Sequence, residues 1–454
     1  MHIADLPARA VAWTARWGGV LPLLAAEFVL WTGFGALLPV MPLYFTQQGV
    51  AVALLGIVIA AWPAARLVAE PIFGLVADRT ARVPLMVAGL LVAAVSVGAM
   101  AIWTGPVAFI LLRLVSGLGT AMYDPSARGY LTDATPADRR GEVFGLYNAA
   151  QMGGILFGPA LGGLGTALVG GYTFVFVFGS VAAFAAAIAV AVRVRELPSL
   201  HRLPFPAPVL TEFPGEMTRE LRDTTVGSTE GGSPQPSAAV GGPPANAQSP
   251  AAPTSLRNRF ILAAILINVA SSFSGGLYET IWALFVTDRG GSVFLVGATF
   301  AVFGLTTILV SPLGGRIVDR RGPFPFIAAG LLVMVVTMFA YPLVDLPILY
   351  VPMVAVEALG FSFLGPATYA VIARGSPVGR SSTAQGFIGA AATVGTITAA
   401  LASGFLAAIS LNLPFFVGSA VVALFLVVVV AIGGGALRSM RPARAAAPEM
   451  SSGD

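Results

Sequence analysis

Apolar residues run along this chain in stretches of roughly twenty, each closed by a short polar or glycine-rich segment. That is the length a helix needs to cross a bilayer. The runs lack the alternation of apolar and polar positions that marks a membrane-barrel strand. They predict helices at 20–46, 52–76, 84–104, 107–131, 142–168 and 171–192, and again at 260–287, 294–318, 324–343, 348–372, 383–409 and 413–433. Between the two sets lies different material. "GSTEGGSPQPSAAVGGPPANAQSPAAPTS" has too few apolar side chains to bury and predicts a disordered tether. The expected organisation is a six-helix bundle over 1–193, a linker over 194–258, a second bundle over 259–437 and a tail over 438–454. The first run carries Glu27 and lacks a clean small-residue cleavage site, so it reads as the first span rather than a removable leader.

Composition supports this class and removes others. The chain is 57% hydrophobic and only 10% charged, against about 25% in soluble domains. It reads as an all-α membrane protein. The absence of cysteine excludes disulfides, thiol catalysis and thiolate metal sites. His2 and His201 both lie outside the apolar runs, so a buried histidine relay is excluded as well. No phosphate loop, metal constellation or nucleophile with a base is visible, and neither an enzyme nor a cofactor is expected. All 25 basic residues are Arg, and 22 of them fall on one side if both termini are cytoplasmic; Arg289 alone lies outside, with Arg66 and Arg113 within spans. The bias predicts cytoplasmic termini and explains the positive charge without nucleic acid.

The two halves repeat each other. Shifted by 241 residues without a gap, "EPIFGLVADRTARVPLMVAGLLV" (70–92) falls on "SPLGGRIVDRRGPFPFIAAGLLV" (311–333). The same register pairs Gly56 with Gly297, Gly119 with Gly360, Pro125 with Pro366 and Arg139 with Arg380. Six spans duplicated in parallel predict two bundles related by an axis along the membrane normal, with a site between them.

Three motifs carry chemistry. "GLVADRTAR" places Gly74, Asp78, Arg79 and Arg82 between spans 2 and 3, and Asp319 and Arg320 recur between spans 8 and 9. A carboxylate there can cap a helix N-terminus and pair with guanidiniums in one conformation only; otherwise the segment is ordinary positive-inside punctuation. In span 4, Arg113, Gly117, Thr120 and Asp124 share one helical face. An arginine inside hydrocarbon must face a cavity or a partner, either tuning a carboxylate or sitting in a static pair. In span 5, "GGILFGPALGG" spaces Gly154, Gly158 and Gly162 four apart, a flat strip for close helix packing, and adds Pro159 and Gly163. The second half has no Gly-Pro at the matching place.

With its twelve spans in two halves, the chain resembles the major facilitator superfamily. Gly74, Asp78, Arg79 and Arg82 match the family's loop motif, although Ala81 stands where a glycine is common. Arg113, Gly117 and Gly119 match a span-4 pattern of its proton-coupled members, and the span-5 Gly-Pro stretch matches the pattern of its exporting antiporters. The resemblance implies two pseudo-symmetric six-helix bundles and proton-coupled export of small amphipathic molecules across the cytoplasmic membrane. It implies protons, a small-molecule substrate and the bilayer as partners, and a monomer. Symport or facilitated movement of a sugar or metabolite is the alternative.

Burial in an apolar setting favours the neutral form of a carboxyl group, which makes intramembrane acids candidates for proton coupling. Glu27, Asp124, Glu279 and Glu357 lie within spans, and for each a structural hydrogen-bonding role stands beside the coupling role. The resemblance favours Glu27, with Arg113 and Asp124 beside it. Arg66 and Glu70 are four apart and predict a local ion pair. Helical phase offers Trp31, Phe34, Asn148, Gln151, Tyr278, Glu279, Trp282 and Glu357 as cavity walls. Tyr44, Tyr350 and Trp103 read better as interface anchors.

Overall fold

The computed structural model describes residues 18–136, 139–197, 258–376 and 381–438. Most of the expected linker, the terminal tail and both histidines lie outside the described residues. Within them the chain is helical, and eleven helices are long and apolar enough to cross a membrane, or twelve when one bent pair counts as a span. That pair is span 1, Leu21–Leu37 with Met41–Gln47, bent by 48°. Pro39 explains the bend: it sits between the two pieces, and its ring nitrogen carries no hydrogen for the helical ladder. The other spans of the first half are Val52–Ala77, Arg82–Ala99, Pro106–Ala134, Arg140–Val169 and Thr173–Arg193. Spans 7 to 12 are Arg259–Asp288, Val293–Arg321, Phe324–Ala340, Tyr350–Gly375, Ser381–Ile409 and Leu413–Arg438. Backbone groups in hydrocarbon must be satisfied within the segment, so twelve helices make a multi-span membrane protein.

The duplication seen in the sequence is a duplication of contacts. In the first half, a Cβ on Gly89 would meet Gly119 O, and in the second, one on Gly330 would meet Gly360 O. Gly74 faces Pro125 as Gly315 faces Pro366, each with a Cβ distance of 3.9 Å. Gly35 lies against Ile155 as Gly276 lies against Thr396. Every one of these pairs is related by the same 241-residue shift.

The seam between the halves obeys it too. Gly56 of span 2 packs on Ala400 of span 11, and Gly297 of span 8 packs on Pro159 of span 5. Gly404 meets Gly56, and Gly163 meets Gly297. The halves thus form one compact unit, joined through spans 2 and 11 and spans 5 and 8. These contacts lie at the end opposite the 78–82 and 319–321 loops, here called the far end; the loop-bearing end is called the arginine-rich end.

Two expected interface anchors prove to be core. Tyr44 is buried, donates its hydroxyl to Met100 O at 2.9 Å and packs on Phe109 and Phe176. Tyr350 is buried and donates to Val344 O at 2.8 Å. Each phenol finds a carbonyl freed where a neighbouring helix ends, so it needs no interfacial water. Trp103 is exposed, as expected of an anchor.

Candidate functional site

Span 5 brings the first carboxylate and its partners together. A Cβ on Gly158 would lie 2.5 Å from Thr32 O and 2.6 Å from Ala36 N, and one on Gly154 would lie 2.6 Å from Phe28 O. The glycine strip therefore seats span 5 directly on the backbone of span 1. One turn before Gly154, Gln151 reaches across this seat to Glu27. Glu27 is fully buried and accepts from Trp31 Nε1 at 2.8 Å, Tyr123 Oη at 2.8 Å and Gln151 Nε2 at 3.4 Å. All three donors are neutral. Asn148 is exposed and does not line the cavity described below.

The second carboxylate depends on the glycines of span 4. Gly117 packs on Trp62 O of span 2, while Gly119, two positions on and so on the other side of the helix, packs on Gly89 of span 3. With span 2 this close, Arg66 bridges its own i+4 neighbour Glu70 and Asp124 of span 4. Asp124 is buried, and Arg128 stands 3.9 Å from it. The expected local pair of Arg66 and Glu70 is one edge of a larger charge cluster.

A small cavity lies against this cluster. It holds about 40 Å³ and is lined by Trp31 and Phe34 of span 1, Trp62 of span 2, and Ser116, Thr120 and Asp124 of span 4, with apolar residues of spans 3 and 6 behind. The aromatic rings are contiguous, with Trp31 to Phe34 and Phe34 to Trp62 each 5.1 Å between centroids. Helical phase had offered Trp31 and Phe34 as walls; Trp62 was not among them.

Arg113 is buried and spans the seam. Its Nη2 donates to Ile59 O at 2.9 Å and reaches Glu279 Oε1 of span 7 at 3.2 Å, and its Nε lies 3.4 Å from Val58 O. The carboxylate facing Arg113 therefore belongs to the other half and is not Asp124, although Arg113 and Asp124 share a helical face.

The remaining expected wall residues gather inside the second half. Glu357 accepts from Tyr278 Oη and Tyr341 Oη, each at 2.7 Å. Trp282 is buried among Tyr341, Phe285 and Phe415 and donates to Thr299 Oγ1 at 2.9 Å. A phenol and an indole that share a helix face can find partners inside their own bundle as readily as toward a cavity, and helical phase does not distinguish the two. None of the three lines the first-half cavity.

At the arginine-rich end, Arg82 lies 3.5 Å from Asp78 and 3.1 Å from Asp133, with its guanidinium seated over Gly129. This cluster stays within the first half. Asp78, expected to cap a neighbouring helix, is exposed at the end of its own. Glu196 does the capping, accepting from Arg82 N at 3.1 Å and Val83 N at 2.8 Å. Arg79, Asp319 and Arg320 are exposed.

The residues that sequence reasoning missed are Trp62, Tyr123, Tyr341 and Glu196. Trp62 had a usable signal, since Trp62, Arg66 and Glu70 are spaced four apart on one face. Tyr123 and Glu196 act across helices far apart in sequence, Tyr341 acts across the turn between spans 9 and 10, and no local pattern announces them.

A sequence model described as Major Facilitator Superfamily matches residues 23–351 and 264–449. The Staphyloferrin B transporter of Staphylococcus aureus (strain NCTC 8325 / PS 47) is 32% identical over 153 residues, which is 33% of this chain and 36% of the relative. The Quinolone resistance protein NorA of Staphylococcus aureus (strain MRSA252) is 27% identical over 136 residues, 30% of this chain and 35% of the relative. The matched region thus spans about a third of each relative's length. Among solved structures, a bacterial homolog to the human lysosomal transporter Spinster, in an inward-facing and unoccupied conformation, superposes with TM-score 0.66 at 17% identity, covering 95% of this chain and 99% of that one. The nucleoside transporter NupG superposes with TM-score 0.67 at 12% identity, covering 91% and 99%. These two likenesses establish the fold alone.

Proposed function

The chain belongs to the major facilitator superfamily, and from that premise we propose that it exports small amphipathic molecules across the cytoplasmic membrane in exchange for protons. Family and fold are those of a transporter. The arginine bias supports placing the arginine-rich end and both termini in the cytoplasm. The far end then faces outward, and the described state is closed on that side.

The observation that carries the reading is the ion pair of Arg113 and Glu279 across the outer seam. Arg113's other contacts, Val58 O and Ile59 O, belong to the first half. When Glu279 takes a proton the pair loses its charge attraction, Arg113 stays with the first half, and one link across the seam is weakened. A carboxylate that holds the halves together only while ionised couples their separation to protonation. Cargo enters from the cytoplasm against Trp31, Phe34 and Asp124. The exchanged proton is assigned to Glu27, which takes it up from outside and gives it up to the cytoplasm, its neutral partners serving either protonation state. Export fits the span-5 motif, whose Pro159 and Gly163 sit on the seam. The quinolone-resistance relative is consistent with amphipathic cargo.

The test is accumulation of a dye and drug panel in cells that lack their own exporters, with and without a protonophore. Expression of the chain lowers accumulation of at least one compound, and the protonophore abolishes the difference. Lowered accumulation that survives gradient collapse overturns proton coupling, and gradient-driven uptake overturns export.

A further inference from the structure

Trp62 is the one cavity wall whose polar atom is buried without a partner. Among the described residues, its Nε1 is shielded from solvent and makes no hydrogen bond. An indole N–H donates and cannot accept, so only an acceptor can satisfy it. Buried polar groups left unpaired are rare enough to call for a ligand or a water as explanation. Trp62's ring is also held: Arg66 Cζ lies 4.6 Å and Arg113 Cζ 5.8 Å from its centroid, and Phe34 packs on it. Both contacts fall in the range of cation–π attraction. They fix the ring's position, so the direction of its N–H is set by the protein.

The cavity fits the same chemistry. Its 40 Å³ has room for roughly two or three waters, or for a carbonyl and the edge of the ring that bears it. Trp31 and Phe34 supply an apolar, aromatic surround. Ser116 and Thr120 lie at its polar side, although the Thr120 hydroxyl is already turned to Ser116 O and Gly117 O.

We propose that Trp62 is a cargo-contacting, specificity-determining residue that selects planar aromatic molecules presenting a carbonyl or carboxylate oxygen, which accepts from its indole N–H. The inference rests on reading these walls as cargo contacts. It reverses the simple expectation that a carboxylate-bearing cavity takes the cationic end of a molecule. Asp124 is already neutralised by Arg66, so the acidic residue on the wall is not available to a cation.

The test uses a matched pair of probes, 9-fluorenone and fluorene, which share a ring system and differ in the carbonyl. Equilibrium binding of each radiolabelled probe is measured on the purified full chain in detergent, with no proton gradient. The wild-type chain binds fluorenone roughly tenfold more tightly than fluorene, the scale of one hydrogen bond to an otherwise unpaired donor. Trp62→Phe keeps a ring beneath the arginines and removes the N–H. It brings the ratio close to one while fluorene affinity changes less than about twofold. Equal wild-type affinities, a preference retained in Trp62→Phe, or equal loss of both probes in the variant overturns the proposal. The wild-type ratio does not depend on how the variant folds. Nor does it depend on antiport, since export insensitive to a protonophore sinks the coupling reading and leaves this ratio as it was.

Discussion

Glu27 and Glu279 are both acids inside the membrane, but their partners differ in kind. Glu279 faces Arg113, which donates only; a protonated Glu279 leaves that guanidinium without its counter-charge. Glu27 faces a phenol, an indole and an amide. The phenol and the amide can each accept as well as donate, so turning them satisfies Glu27 in either protonation state. Glu27 is thus built to change its proton at little cost to its surroundings. Glu27→Gln keeps the shape, keeps the hydrogen bonds once the Tyr123 hydroxyl turns to accept, and removes the exchangeable proton. It is expected to abolish gradient-driven cargo accumulation by inverted vesicles, the export direction in that orientation, while the purified protein still binds its cargo. Full accumulation with Glu27→Gln removes this residue from the coupling step. The identity of these acids was legible in the sequence because charge inside a long apolar run stands out. Their partners were not. Arg113 and Asp124 share a face of one helix, yet one pairs with span 7 and the other with span 2. Phase along one helix says nothing about which other helix stands opposite.

Spans 1 and 5 show what a glycine strip does at the level of an element. Isolated, the stretch around Gly154, Gly158 and Gly162 would be a poor helix, since each glycine adds chain entropy to lose. Packed, it removes the side chains that would hold span 1 away, and Gln151 reaches Glu27 as a result. The second half keeps Gly395, which meets Val269 as Gly154 meets Phe28, but has Ala399 and Ser403 where Gly158 and Gly162 stand. The first half is therefore the more tightly seated, and it is the half that holds Glu27. Gly158→Ala puts a methyl group onto span 1 backbone that cannot turn aside. It is expected to cost about 1–3 kcal/mol, as overpacking does, and to lower the melting temperature of the purified protein. Gly145→Ala, on the same helix with open space around it, leaves melting unchanged or raises it slightly, because alanine has less chain entropy to lose. Equal melting of the two variants refutes the close seat. The strip itself was readable from spacing; that it faces span 1, while Pro159 and Gly163 face span 8, was not.

For the whole molecule, the 241-residue register is the most informative single fact in the sequence. It holds for packing inside each half and for the seam between them, where Gly56 on Ala400 mirrors Gly297 on Pro159. A seam built from two symmetric contacts gives a natural pivot, because each contact can close or part by the same small rotation. Alternating access then requires the far end to part during every cycle. The seam offers a direct way to forbid this. A Cβ at Gly163 would lie 3.7 Å from Phe294 Cα, across the seam, and it would meet nothing closer than 3.5 Å, which brings a thiol at each position near enough to be bridged. Phe294 is exposed, and the chain has no cysteine of its own to compete. The double variant Gly163→Cys with Phe294→Cys is expected to cross-link on mild oxidation, seen as a shift on non-reducing gels after cleavage between the halves. Cross-linked protein is expected to lose transport, and a reductant is expected to restore it, whereas each single variant transports normally. The energetic argument is that one covalent bond outweighs the few kcal/mol available to shift such an equilibrium. Unimpaired transport by the fully cross-linked protein would mean that the seam never opens, and a path between the halves would have to be given up.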